Sequence, residues 1–76
     1  MRYAVVIEKA ENNYGAYVPD LPGSITTGKS IEETRRLIRE AIEFHIEGLR
    51  LECCQVPQPS SHCEYVEVFA AQPLAG

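Results

Sequence analysis

The stretch Tyr17-Val18-Pro19-Asp20-Leu21-Pro22-Gly23, followed by Ser30-Ile31-Glu32-Glu33, constrains this chain more than any other. Pro19 and Pro22 each fix φ at about −65° and bias Val18 and Leu21 away from the helical region. Gly23 supplies backbone freedom at the far side of the turn. A turn built this way holds one shape at little entropic cost. It suits equally a scaffold corner or a contact surface.

On either side of the turn the pattern is that of strands. Residues 2–9 (RYAVVIEK) are apolar on both alternating faces, the mark of a central strand. Ala10-Glu11-Asn12-Asn13 makes a reversal, so residues 14–18 return as the second strand of a hairpin. Residues 24–27 form a short third strand, ended by Gly28. Ser30 then opens a helix, with Glu33 completing the S-x-x-E capping box and Glu32 favoured in the first turn.

Stepping 100° per residue, Ile31, Ile38, Ala41, Ile42, His45 and Leu49 fall on one stripe. Glu32, Arg36, Arg39, Glu40, Glu43, Glu47 and Arg50 fall opposite, where Glu32–Arg36 and Arg39–Glu43 are i,i+4 pairs. Leu37, Phe44 and Leu51 widen the apolar side beyond what one sheet contact requires. The helix stops near residue 52, because Val56-Pro57-Gln58-Pro59 is extended. Residues 63–70 read as a last strand, with Tyr65, Glu67 and Phe69 on one face and Val66 and Val68 on the other.

The expected fold is α+β in the order β-β-β-α-β. It has a four-stranded mixed sheet, strand order 3-2-1-4, with one helix on one face. Residues 1–70 make a single domain, and 71–76 carry no pattern and are expected to fray. So small a chain gains from burying a further face. With the sheet's second face uncovered, a homo-oligomer using Tyr65, Glu67 and Phe69 is expected.

A net charge of −4 disfavours autonomous nucleic-acid binding and suits a basic protein partner. There is no signal-peptide layout and no apolar run of membrane-spanning length, so a cytoplasmic protein without membrane association is expected. Cys53, Cys54 and Cys63 are odd in number. With His62 their spacing matches no common zinc pattern, so reduced, part-buried thiols are expected and neither metal nor cofactor. His45 lies on the apolar stripe with no nucleophile or carboxylate placed beside it, and reads as a core residue. Glu8, Asp20, Glu64 and Glu67 are the strand and turn carboxylates. They do not converge as a two-metal site requires, so no enzymatic activity is expected.

Taken together, the P-D-L-P-G turn, Thr27-Gly28, the helix start Ser30–Glu33, Ala41-Ile42 and Val56-Pro57-Gln58-Pro59-Ser60 resemble the HicB family of antitoxins, in its short form. The resemblance covers most of the chain. It implies a partial ribonuclease-H-like fold without nuclease activity, and a partner that is a small basic mRNA-cleaving toxin, HicA-like. On that reading the turn residues Tyr17, Asp20, Leu21 and Pro22 are the expected toxin contacts. Ser24 stands where a cysteine is common. Cys54 stands where the family often has a glycine after the helix, and its Cβ costs about 1 kcal/mol if the backbone there is left-handed. No C-terminal DNA-binding module is visible, so direct DNA binding is not expected. The alternative is a homo-oligomeric domain of the same fold that binds another protein or a small ligand and has no cognate toxin. A basic neighbouring reading frame would separate the two.

Overall fold

The computed structural model describes residues 1–70. Three strands form an antiparallel meander: β1 (Val6–Lys9), β2 (Tyr14–Tyr17) and β3 (Ile25–Gly28), with β2 in the centre. The first reversal closes with the Ala10 N–H donating to the Asn13 carbonyl at 2.8 Å. Between β2 and β3 the chain makes two successive β-turns. Leu21 N–H donates to the Val18 carbonyl and Ser24 N–H to the Leu21 carbonyl, each at 3.1 Å. Pro19 and Pro22 take the second position of these turns, and Gly23, at φ 96°, the third position of the second. That is the sequence signature of a type II turn, whose third residue needs positive φ.

Helix α1 spans Ile31–Leu51. Ser30 caps it in extended geometry, accepting from the Glu33 N–H at 3.0 Å. The Glu33 carboxylate reaches back to the Lys29 N–H at 2.7 Å, one residue earlier than a standard capping box. Thr34 is fully buried, and its hydroxyl donates to the Ser30 carbonyl at 2.7 Å. Gly28 is needed beneath it, since a Cβ there would lie 2.5 Å from Thr34 Oγ1.

The register places Ile7, Ala16 and Thr26 in one row under the helix, and Val6, Tyr17 and Ile25 in the next row on the outward face. Ala16, Val18, Leu21 and Ile38 form the buried core, lined by Tyr3, Val5, Ile7, Ala41, Ile42, Ile46 and Leu49. Ile46 joins this core while Ile31, at the first helical position, stays exposed. His45 lies half-buried against the turn, 3.3 Å from where a Gly23 Cβ would sit. Ser24 Oγ is buried and has no hydrogen-bond partner. On the solvated face Arg36 pairs with Glu40 at 3.4 Å, in place of the expected Glu32–Arg36 and Arg39–Glu43 pairs.

α1 ends in a Schellman motif: Cys54 N–H donates to the Leu49 carbonyl at 2.8 Å and Cys53 N–H to Arg50 at 3.0 Å. The left-handed residue is Cys53, at φ 58°, and not Cys54. All three cysteines are exposed free thiols, where part-buried ones were expected.

The largest correction concerns the sheet. It is three-stranded and antiparallel, β-β-β-α, and not the four-stranded mixed, partial ribonuclease-H-like sheet the pattern suggested. β1 is therefore an edge strand rather than a central one. Residues 63–70 have strand-like alternation but no ladder partner among the described residues, and all are exposed. The reason lies upstream. The Tyr3 hydroxyl donates to the Pro57 carbonyl, and Asp20 holds Ser60 and Ser61. These ties set residues 61–63 beside residues 2–4, ahead of β1, and residues 64–70 beyond them are exposed. The expectation that residues 71–76 fray falls outside the described residues.

Candidate protein-binding surface

The four turn residues expected to touch a partner have separate fates. Leu21 is 0% exposed and belongs to the core, so it anchors the turn and offers nothing to a partner. Pro22 is exposed at the corner. Tyr17 points outward from β2, between Val6 and Ile25 on the neighbouring strands. Ile25 is 69% exposed, which makes this row an apolar strip on the face that α1 does not cover. Sequence reasoning missed Ile25 because a four-residue strand shows too little alternation to say which side faces the helix.

Asp20 is committed within the chain. Its carboxylate accepts from the Ser60 and Ser61 N–H groups at 2.8 and 2.7 Å, and from their hydroxyls at 3.1 and 2.8 Å. The Ser61 and Ser60 N–H groups, then the Ser61 hydroxyl, favour the ionised form and pull its pKa from 3.8 to about 2. Four donors on two oxygens fill nearly all the lone-pair positions a carboxylate has. Asp20 is thus a clamp that fastens the segment after α1 to the double turn. Ser60 and Ser61 lie forty residues away in sequence, and no local pattern marks them as its partners.

Beyond the clamp, Tyr65 and Phe69 are 105% and 99% exposed, and Glu67 between them in sequence is exposed too. Tyr17 ends β2 and Pro22 lies in the double turn. Glu64 meets His62 at 3.2 Å. Among the described residues, no three His, Cys, Asp or Glu side chains gather closely enough to hold a metal ion. No helix among them is long and apolar enough to cross a membrane.

The described residues thus carry a double-proline turn clamped by an acid, an outward apolar strip and an exposed arm. Comparison with known proteins gives the chain a family. Residues 3–73 match the sequence profile described as HicB-like antitoxin of bacterial toxin-antitoxin system. The chain belongs to the HicB-like antitoxin family. It is 33% identical over 76 aligned residues to Antitoxin HicB 2 of Photorhabdus laumondii, covering 93% of this chain and 52% of that protein. An uncharacterized 14.9 kDa protein of Haemophilus phage HP1 is 35% identical over 87% of this chain and 50% of its own length. A UPF0150 protein of Helicobacter pylori is 54% identical over 58% of this chain and 61% of its own length. The chain thus spans about half to three-fifths of these relatives. No solved structure gives a significant match.

Proposed function

We propose that this HicB-like chain is an antitoxin that binds a small, basic, mRNA-cleaving toxin of the HicA type and covers its RNA-binding face. The observation that carries the reading is the family match across residues 3–73. The net charge of −4 supports it, because an acidic surface steers a basic partner into fast, salt-sensitive association. The role is one of binding and not of catalysis. The contact surface we assign is the outward strip of Val6, Tyr17 and Ile25 with Pro22 at its end; Asp20 and Leu21 act beneath it as clamp and anchor.

The test is co-expression with the product of the adjacent basic reading frame. Tyr17→Lys introduces a like charge at the strip without touching the core. It should abolish protection from the toxin while circular dichroism stays that of the unsubstituted chain. A folded Tyr17→Lys protein that protects fully would move the contact off the strip. Failure of the unsubstituted chain to bind or protect against that neighbour would overturn the antitoxin reading itself.

A further inference from the structure

β1 has β2 on one side and, among the described residues, no strand on the other. An edge of unpaired backbone groups is a template for pairing with another chain. α1 packs mainly over β3 and β2 and only lightly over β1. That offset leaves a groove of about 640 Å³ beside β1, with Tyr3, Val5, Ile7, Ile38 and Ile42 among its walls. Its rim carries Arg2, Arg35 and Arg39 against the single acid Glu43.

The arm after the clamp has the complementary features. Tyr65, Glu67 and Phe69 repeat at the two-residue spacing of Tyr3, Val5 and Ile7, and Glu67 supplies negative charge to meet the arginines of the rim. In the single chain these apolar side chains touch nothing that buries them. The chain exposes 6487 Å², about 1,800 Å² more than area scaling allows a compact protein of its mass. A standard protein–protein interface buries about 800 Å² of each partner, so the excess on each chain is more than a stable dimer needs.

We propose that residues 64–70 of one copy dock along the free β1 edge of a second copy, with Tyr65 and Phe69 in the groove and Glu67 against its arginine rim. The exchange is reciprocal, giving an arm-swapped dimer. Within one chain the sheet stays three-stranded, and the missing neighbour of β1 comes from the partner copy. A second copy is the occupant, rather than the chain's own arm, because the Asp20 clamp and the Tyr3–Pro57 bond tie the start of the arm beside residues 2–4, and residues 64–70 beyond it stay exposed and pair with no strand of their own chain. Backbone pairing at a sheet edge supplies affinity, and the alternating pockets supply register.

Sedimentation of the full chain at micromolar concentration tests this, and should give twice the 8.5 kDa chain mass. The full-length double variant Tyr65→Asp/Phe69→Asp, which alters only exposed positions, should keep its helical circular dichroism and weaken the dimer by roughly a hundredfold or more. Arg35→Glu/Arg39→Glu, on the exposed rim, should also give folded monomers. Mixing the two variants should restore association, because one intact groove then meets one intact arm. Each of four results would overturn the proposal: a monomeric unsubstituted chain, meaning the arm stays free or closes on its own groove; a dimer indifferent to the arm variant; a dimer indifferent to the rim variant; or a mixture that stays monomeric. Toxin neutralisation is not read in this experiment, so its outcome is independent of the antitoxin assignment.

Discussion

The two halves of this protein are held by different physics. In the body, residues 1–54, the double turn, the meander and α1 close over Ala16, Val18, Leu21 and Ile38, so apolar burial supplies most of the stability. In the arm, residues 55–70, Val56 and Pro59 are half-buried and every other residue is exposed. What fastens the arm is polar: one carboxylate, two serines and a tyrosine hydroxyl. The body tolerates little change of volume or charge. The arm depends on four hydrogen bonds to one side chain and carries its apolar residues outward, where only another molecule can cover them.

The sharpest way to break this comparison is to place a charge in each half. Ile38 is 2% exposed at the centre of the core, so Ile38→Asp should cost more than ~4 kcal/mol and abolish the helical signal. Phe69→Asp should leave thermal stability of the single chain within about 0.5 kcal/mol. Equal losses from both in chemical denaturation would show that the arm belongs to the folding unit. A steric change comes next. Gly28→Ala would put its Cβ 3.0 Å from the Thr34 backbone N and closer still to the hydroxyl. The start of α1 would have to shift, at about 1–3 kcal/mol, read as a lower denaturation midpoint.

This division also explains what could be read from sequence. The body was legible because each of its signals is local. Two prolines and a glycine define the double turn, S-x-x-E defines the cap, and a 100° stripe names Ile38, Ala41, Ile42 and Leu49 as the inner face. Thr34 was missed because a threonine carries no apolar signal, and it is buried by the absence of a side chain at Gly28. The arm misled for the same reason the body did not. Alternation in residues 63–70 reports that a segment fits a pleated, half-buried surface, but not which surface is within reach. The Asp20–Ser60/Ser61 clamp joins residues forty apart and leaves no periodic trace. As for the binding surface, Tyr17 and Pro22 could be picked out as turn residues, whereas the burial of Leu21 and the exposure of Ile25 depend on how the short strands are turned toward α1.

The junction between the halves offers a smaller effect with the opposite sign. Cys53 terminates α1 with φ at 58°, a conformation that crowds the Cβ of any L-residue against the backbone. Glycine removes that clash but adds freedom to the unfolded chain, so the net gain from Cys53→Gly should be about 0.5–1 kcal/mol. Cys54→Gly should give no such gain, since Cys54 is not left-handed. Thermal denaturation of the two variants side by side tests which residue closes the helix.

The smallest expected effect on global stability is the one that isolates the arm. A carboxylate that titrates near 3.8 when unfolded and at about 2 when clamped has a depressed folded pKa. The sign follows: the clamp contributes fully above the unfolded value, weakens as pH falls below it, and is gone once pH passes through about 2. Because the clamp joins arm to body without lying in the core, its loss should free residues 60–70 while β1–β3 and α1 remain. The Ser60 and Ser61 amide resonances, shifted by donation to Asp20, should therefore hold their positions down to about pH 3 and then move together, with a midpoint near 2. In Asp20→Asn the same resonances should lie upfield at neutral pH and show no such titration, since the amide keeps one acceptor oxygen but no charge. Resonances that instead titrate near 4 in the unsubstituted chain would mean that the carboxylate is free in solution, and the arm would then be joined to the body through Tyr3 and Pro57 alone.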